Sequence, residues 1–371
     1  MKVLVTGGSG FLGQAICRLL AARGEHVSAL NRRHHPALAD LGVLQHTTDL
    51  RDRDGVRAAV SGCDAVVHCA ALAGMWGPAH AYRSINVEGT ANVIEACRRA
   101  GVTRLVHTSS PSVVHDGRDL EGVDESAPYA RRFPAPYPAT KAIAERMVLA
   151  ADGDRLATVA LRPHLIWGPG DPHFLPRFAA RARRGRLVLP RAPGKRIDTV
   201  YVGNAAEAHL LALDALAPGS PPAGRAYFIT QDEPVTLTDW VNGLLGAAGL
   251  PPVTRHVPAR LARLGAAAVE HGYRLARVRA QPPITRMAVV QATTSHWFDI
   301  SAARRDLGYE PRVGMAEGLA RLARHLSGDP AAPDHASVRT SEVLTPARHP
   351  SARTPEVLTP ARHPSARTSE V

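Results

Sequence analysis

Val3-Leu4-Val5-Thr6-Gly7-Gly8-Ser9-Gly10-Phe11-Leu12-Gly13 opens the chain and decides how the rest is read. A short apolar, β-branched run stops at glycines 7, 10 and 13, and residues 11–20 then take up helical periodicity. The stretch therefore predicts a strand, a tight turn and a helix. Gly7 can supply the positive φ of the turn, Gly10 a close approach of backbone to phosphate, and Gly13 tight packing of helix on strand. The helix would point its free N–H groups and its dipole at a pyrophosphate, with Phe11 and Leu12 beside the glycines as candidate cofactor contacts. A plain glycine turn looks similar in isolation, so the position between strand and helix carries the reading.

From there the pattern alternates as a doubly wound α/β sheet should. Strands are predicted at residues 26–30, 44–48, 65–71 and 104–108, with helices at 52–60 and 82–100 between them. After the second strand, where an NAD-preferring site places an acid on the ribose, the chain has Asn31-Arg32-Arg33. An acid would repel a 2′-phosphate and guanidinium groups can clamp it, so NADP(H) is favoured over NAD(H). The competing reading is that two arginines decorate a loop.

Composition fits an enzyme with a large core. Of 45 basic residues only Lys2, Lys141 and Lys195 are lysine, so the net charge of +12 reflects an arginine bias in part. No zinc-finger spacing or aromatic RNA-binding motif accompanies it, and no nucleic-acid partner is expected. The 18 histidines are scattered without HExxH or a Cys/His cluster, so no metal is expected. Cys17, Cys63, Cys69 and Cys97 form no CxxC pair and read as thiols of a reducing compartment. With the first strand starting near Met1 and no long apolar run, cytoplasmic placement is the expectation.

The fifth strand runs into Thr108-Ser109-Ser110, and Tyr137-Pro138-Ala139-Thr140-Lys141 opens a helix through 151. Tyrosine and lysine four apart share one helical face. A free phenol titrates near pH ~10, and a neighbouring cation brings it within reach of proton transfer at neutral pH. With 7 tyrosines and only three lysines in 371 residues, such a spacing is seldom accidental. A hydroxyl at the strand end would hold the substrate oxygen while hydride moves; Ser110 is the choice and Ser109 the rival.

These motifs resemble those of the extended short-chain dehydrogenases/reductases. Thr6 to Gly13 is similar to the family's TGxxGxxG, Tyr137 to Lys141 to its YxxxK, and Thr108-Ser109-Ser110 to its serine strand. The likeness covers about residues 1–326 and is greatest to the 3β-hydroxysteroid dehydrogenase-like branch, with Leu161-Arg162-Pro163-His164 among its marks. It implies a Rossmann sheet with a smaller, mostly helical C-terminal substrate region, and NADPH-dependent reduction of a hydrophobic 3-keto substrate such as a 2-alkyl-3-ketoalkanoic acid of olefin biosynthesis. It makes Tyr137 the proton donor, Lys141 its pKa tuner and ribose ligand, and Ser110 the carbonyl partner. Asp49 and Leu50 would flank adenine, Ala70 and Ala71 would line the cofactor, Pro163 would lie near the nicotinamide, and Ser109 and Asn86 would be further contacts. Asn86 could equally cap a helix turn. A homodimer, with pathway enzymes as further partners, is the family expectation. A 3β-hydroxysteroid dehydrogenase, a nucleotide-sugar epimerase or dehydratase, and a non-enzymatic NADP sensor are the rival readings.

The implied organisation is residues 1–165 for the cofactor domain, 166–326 for the substrate region interleaved with sheet elements near 197–215, and 327–371 for a tail with a 14-residue repeat. The tail is poor in large apolar residues and reads as disordered. In the substrate region Arg181, Arg183, Arg184, Arg186, Arg191, Lys195 and Arg196 could hold an anion or form a solvated face. Residues 258–280 alternate leucines with arginines at helical spacing, which suits a helix packed on the core, a pocket lid or a peripheral membrane contact. Trp76 and Trp297 are candidates for contact with alkyl chains, or plain core.

Overall fold

Seven parallel strands frame the protein in the computed structural model, which describes residues 1–278 and 280–328. They are β1 Lys2–Thr6, β2 His26–Asn31, β3 Leu44–Thr47, β4 Ala65–His68, β5 Arg104–Thr108, β6 Ala157–Pro163 and β7 Arg225–Ile229. Across the sheet they stand in the order β7-β6-β5-β4-β1-β2-β3, so the winding reverses between β1 and β4. In such a sheet the crevice at the C-terminal strand ends beside that reversal is where ligands bind.

The near-continuous apolar runs follow from burial on both faces. Val3, Val5, Val67 and Val106 meet the helices Phe11–Ala22 and Val202–Ala215 on one side. Leu4, Val66 and Leu105 meet Arg53–Val60 and Gly89–Ala100 on the other. Each such side chain, fully withdrawn from water, contributes roughly 1.5–3 kcal/mol before conformational entropy is set against it.

The C-terminal region is mostly helical and shares this core. After helix Val202–Ala215 the chain returns to the sheet, where β7 pairs in parallel with β6. The interleaving thus extends to residue 229, and Val5, Trp240 and Leu322 belong to one apolar cluster. The predicted helix at 82–100 is instead three segments: Ala79–Tyr82, a π turn over Arg83–Glu88, and Gly89–Ala100. The repeat tail, beyond its first two residues, lies outside the described residues. Among the described residues no helix is long and apolar enough to cross a membrane.

Candidate active site

The glycine turn is built around two contacts that a side chain would break. Gly7 has φ +69°, and a Cβ on it would lie 2.9 Å from Ala70 Cα; one on Gly13 would lie 2.2 Å from the Gly7 oxygen. Gly10 takes the first helical boundary with φ −75° and no side chain capping the turn, so Phe11, Leu12 and Gly13 keep their amides available at the cavity wall. This bare helix N-terminus fits the pyrophosphate of a dinucleotide.

Asn31 departs from its expected place at the 2′-phosphate. It is buried, and its Oδ1 accepts the Ser9 amide at 2.8 Å, so it braces the glycine turn. Arg32 and Arg33 are exposed beyond it. Hydrogen bonds from Arg51, with a smaller contribution from the Arg32 charge, hold the Asp49 carboxyl at about 2. Leu50 is buried against Gly89 and its carbonyl accepts from Asn92 at 2.8 Å. At the end of β4 the Ala70 amide donates to Thr6 Oγ1 at 3.2 Å, and Ala71 lines the cavity, as does Pro163 at the end of β6. Asn86 caps no helix. Its side chain clasps Leu72 through both backbone groups, at 2.7 and 3.1 Å, and reaches Thr140 Oγ1 at 3.0 Å, tying the loop after β4 to the tyrosine helix.

That helix, Pro136–Leu149, starts with proline in its first turn. Tyr137, Lys141 and Glu145 recur every four residues on one face. Ser110 lies close enough to the Tyr137 hydroxyl to act on its titration, and its Oγ lies 2.9 Å from Ser112 Oγ. Burial pushes the phenol up to about 12 against the lowering effect of Ser110, and nearby Tyr82 adds to the rise. Lys141 is buried and donates to the Thr108 carbonyl at 2.5 Å, with His107 Nε2 3.2 Å away. Burial lowers its ammonium to about 8. The phenol thus stands above its ordinary value and not below it as expected, because burial outweighs the lowering influence beside it. Ser109 is buried and its hydroxyl has no hydrogen-bond partner among the described residues, whereas Ser110 is half-buried at the strand end beside Tyr137.

Glycine turn, Ser110, Tyr137, Lys141 and Pro163 open on one cavity of about 640 Å³. Its far wall holds three histidines that sequence reading missed: His115, His164 and His296. His296 Nε2 donates to the Gln291 carbonyl at 2.8 Å, so its Nδ1 accepts from His164 Nε2 at 2.7 Å. Burial keeps all three below the ordinary imidazole range, with His296 at about 4. The wall is polar yet uncharged at neutral pH. An adjoining pocket of about 150 Å³ is apolar, with Phe174, Phe178, Leu189, Ile197, Trp240 and Ile284 on its sides.

Arg177, also unforeseen, lines both spaces. Arg181 lines the second and donates to the Pro283 carbonyl; burial and the neighbouring Arg177 lower its pKa. The rest of the basic cluster is a solvated face, with Lys195 paired to Asp119. Trp76 edges a separate surface groove, and Trp297 packs over Gly122. Among the described residues no group of His, Cys, Asp and Glu could hold a metal ion.

The model of the 3-beta hydroxysteroid dehydrogenase/isomerase family matches residues 4–258. A 2-alkyl-3-oxoalkanoate reductase of Stenotrophomonas maltophilia (strain K279a) is 52% identical over 324 residues, 87% of this chain and 98% of that protein. A protein of the same name from Shewanella oneidensis is 47% identical over 330 residues, 87% of this chain and 85% of its own. The solved structure of the UDP-glucose 4-epimerase of Thermus thermophilus, in complex with NAD, has a TM-score of 0.69 at 28% identity, covering 89% of this chain and all of that one. Since these likenesses extend through both the sheet and the C-terminal region, the chain belongs to the 3-beta hydroxysteroid dehydrogenase/isomerase family and is an oxidoreductase of the extended short-chain dehydrogenase/reductase fold.

Proposed function

We propose that the protein uses NADPH to reduce the ketone of a 2-alkyl-3-ketoalkanoic acid. One observation carries the substrate class: the space beside Ser110 and Tyr137 continues into an apolar pocket, and Arg177 lines both. Two alkyl branches and a carboxylate ask for such a combination of greasy volume and one guanidinium. The two relatives named 2-alkyl-3-oxoalkanoate reductases support it. Arg32 and Arg33 support NADPH, because the nearest acid, Asp49, is engaged by Arg51 and presents no free charge against a 2′-phosphate.

When bound, the nicotinamide supplies a hydride to the carbonyl carbon. Tyr137, protonated throughout the neutral range with its pKa near 12, gives its proton to the carbonyl oxygen, while Ser110 donates to that same oxygen. The Lys141 ammonium, buried at the foot of the site, favours the phenolate left behind. The neutral histidine wall leaves Arg177 as the charge that meets the substrate carboxylate.

The test follows reduced nicotinamide by absorbance with NADP and a 2-alkyl-3-hydroxyalkanoic acid. The oxidative direction avoids spontaneous decarboxylation of the keto acid. Stereoselective turnover should fall by about 10²–10⁴ in Tyr137→Phe. Turnover of a hydroxysteroid but not the hydroxy acid would refute the substrate, and equal efficiency with NAD would refute the cofactor.

A further inference from the structure

Helix Ala259–Leu275 presents apolar residues on two opposite sides. Ala262 and Ala266 are buried against Val289 and Ile284. At 100° per residue, Leu261, Leu264 and Leu275 fall within about 60° of one another, on the side facing away from that packing. They are 57%, 68% and 72% exposed, and Val278 just beyond the helix is 38% exposed. Among the described residues only Leu44 and Leu326 are other large hydrophobics so exposed. A single exposed leucine needs no explanation, whereas a stripe of them marks an interaction surface.

Arg260, Arg263 and Arg274 border this stripe along one flank, and Arg277 follows just past the end of the helix. Arg263 and Arg274 are tethered to Thr293 and Glu270, while Arg260 and Arg277 stand exposed. The one acid between residues 259 and 278 is Glu270, which is buried and engaged by Arg274 and Arg286. The face is thus apolar with an unbalanced cationic edge.

We propose that this face seats the protein on an anionic lipid surface, the helix lying in the plane of the interface with its leucines among the acyl chains and its arginines at the headgroups. A second copy of the chain fits less well. Pairing two such stripes would bring arginine-edged helices together with no acid between them, and four side chains fall far short of the ~800 Å² per partner that a stable interface buries.

The same helix also borders a groove of about 710 Å³, together with Trp76, Pro78 and Pro136, next to Tyr137 in the chain. Met75 lines this groove, the catalytic cavity and the apolar pocket alike. An apolar substrate leaving lipid would therefore find a path beside Met75. That path rests on the substrate class proposed above; the lipid docking does not.

Flotation of the full chain with phosphatidylcholine vesicles, with and without phosphatidylglycerol, separates the two ideas because it reads no activity. The protein should float with the anionic vesicles and release at high salt. Leu264→Ser and Leu275→Ser should each weaken binding roughly tenfold, and Arg260→Gln and Arg277→Gln about fivefold each. The leucine variants should keep the wild-type melting temperature and turnover of a short, water-soluble substrate. Failure to float with anionic vesicles, or flotation that survives both leucine substitutions, overturns the proposal. So does a leucine variant that loses self-association while its flotation is unchanged.

Discussion

Removing one half of the Glu145–Arg162 ion pair should destabilise the protein far more than removing both halves. Arg162 meets Glu145 through two bonds, Nε to Oε2 at 3.0 Å and Nη2 to Oε1 at 2.7 Å, and the side chains are 4% and 0% exposed. The pair bolts the helix of Tyr137 and Lys141 to β6, one residue before Pro163. In Glu145→Gln the guanidinium stays buried beside the Phe228 and Tyr129 rings, and nearby Glu125 accepts from the Phe228 amide instead. Stranding a buried charge in this way costs about 3–5 kcal/mol, or a melting temperature lower by roughly 5–10 °C. Replacing both residues by leucine should fall within about 1 kcal/mol of wild type, because the desolvation of both charges disappears with their attraction. Urea denaturation followed by the fluorescence of buried Trp167 and Trp240 measures each step. A single substitution costing under about 1 kcal/mol, or a double costing as much as the two singles added, would refute the reasoning. The pair also fixes a pH dependence. Burial raises the Glu145 carboxyl, but the bonds and charge of Arg162 outweigh it and leave it lowered. Its contribution is therefore present above the unfolded carboxyl value of ~4.3 and lost as pH falls through the lower folded value. Glu145→Gln should lack that part of the acid loss.

Three further outcomes follow from the site. In the reductive direction kcat/KM should decline above about pH 8, where burial makes Lys141 lose its proton, and Lys141→Arg should carry that limb beyond the accessible range; a profile unmoved by the substitution would assign the limb to another group. Gly13→Ala must force its Cβ away from the Gly7 oxygen, so NADPH affinity by fluorescence titration should drop about tenfold, and wild-type affinity would contradict the close-packing argument. Alanine at both Arg32 and Arg33 should narrow the NADPH over NADH preference by roughly tenfold per guanidinium, whereas an unaltered ratio of kcat/KM values would locate 2′-phosphate recognition elsewhere.

What was legible in the chain was whatever depends on short range. β1 and the glycine turn follow from an apolar run, one required positive φ and one close approach; β5 spans the predicted residues 104–108. Tyr137 and Lys141 share a face because their spacing makes them. The choice between Ser109 and Ser110 was not legible, because both hydroxyls end the same strand; the structure buries Ser109 and leaves Ser110 half-buried beside Tyr137. The π turn was hidden because one extra residue barely disturbs a helical hydrophobic pattern. His115, His164 and His296 come from three distant segments, and only the parallel pairing of strands brings such residues to one wall. Asn31 was misplaced for a similar reason: a polar residue at a strand end reads the same whether it faces ligand or turns back to brace the neighbouring loop.

The π turn at Arg83–Glu88 also makes the length of this segment part of its specification. A π turn spends one residue more than an α turn on the same advance. Shortening the segment by a residue would let it relax to a regular helix, and the residues before the cut would then swing by about 100° relative to those after it. Asn86 could no longer face both Leu72 and Thr140, and the loop after β4 would lose its registration with the helix of Tyr137. Sequences of this type should therefore tolerate exchanges of side chain in the turn more readily than a single gap in it.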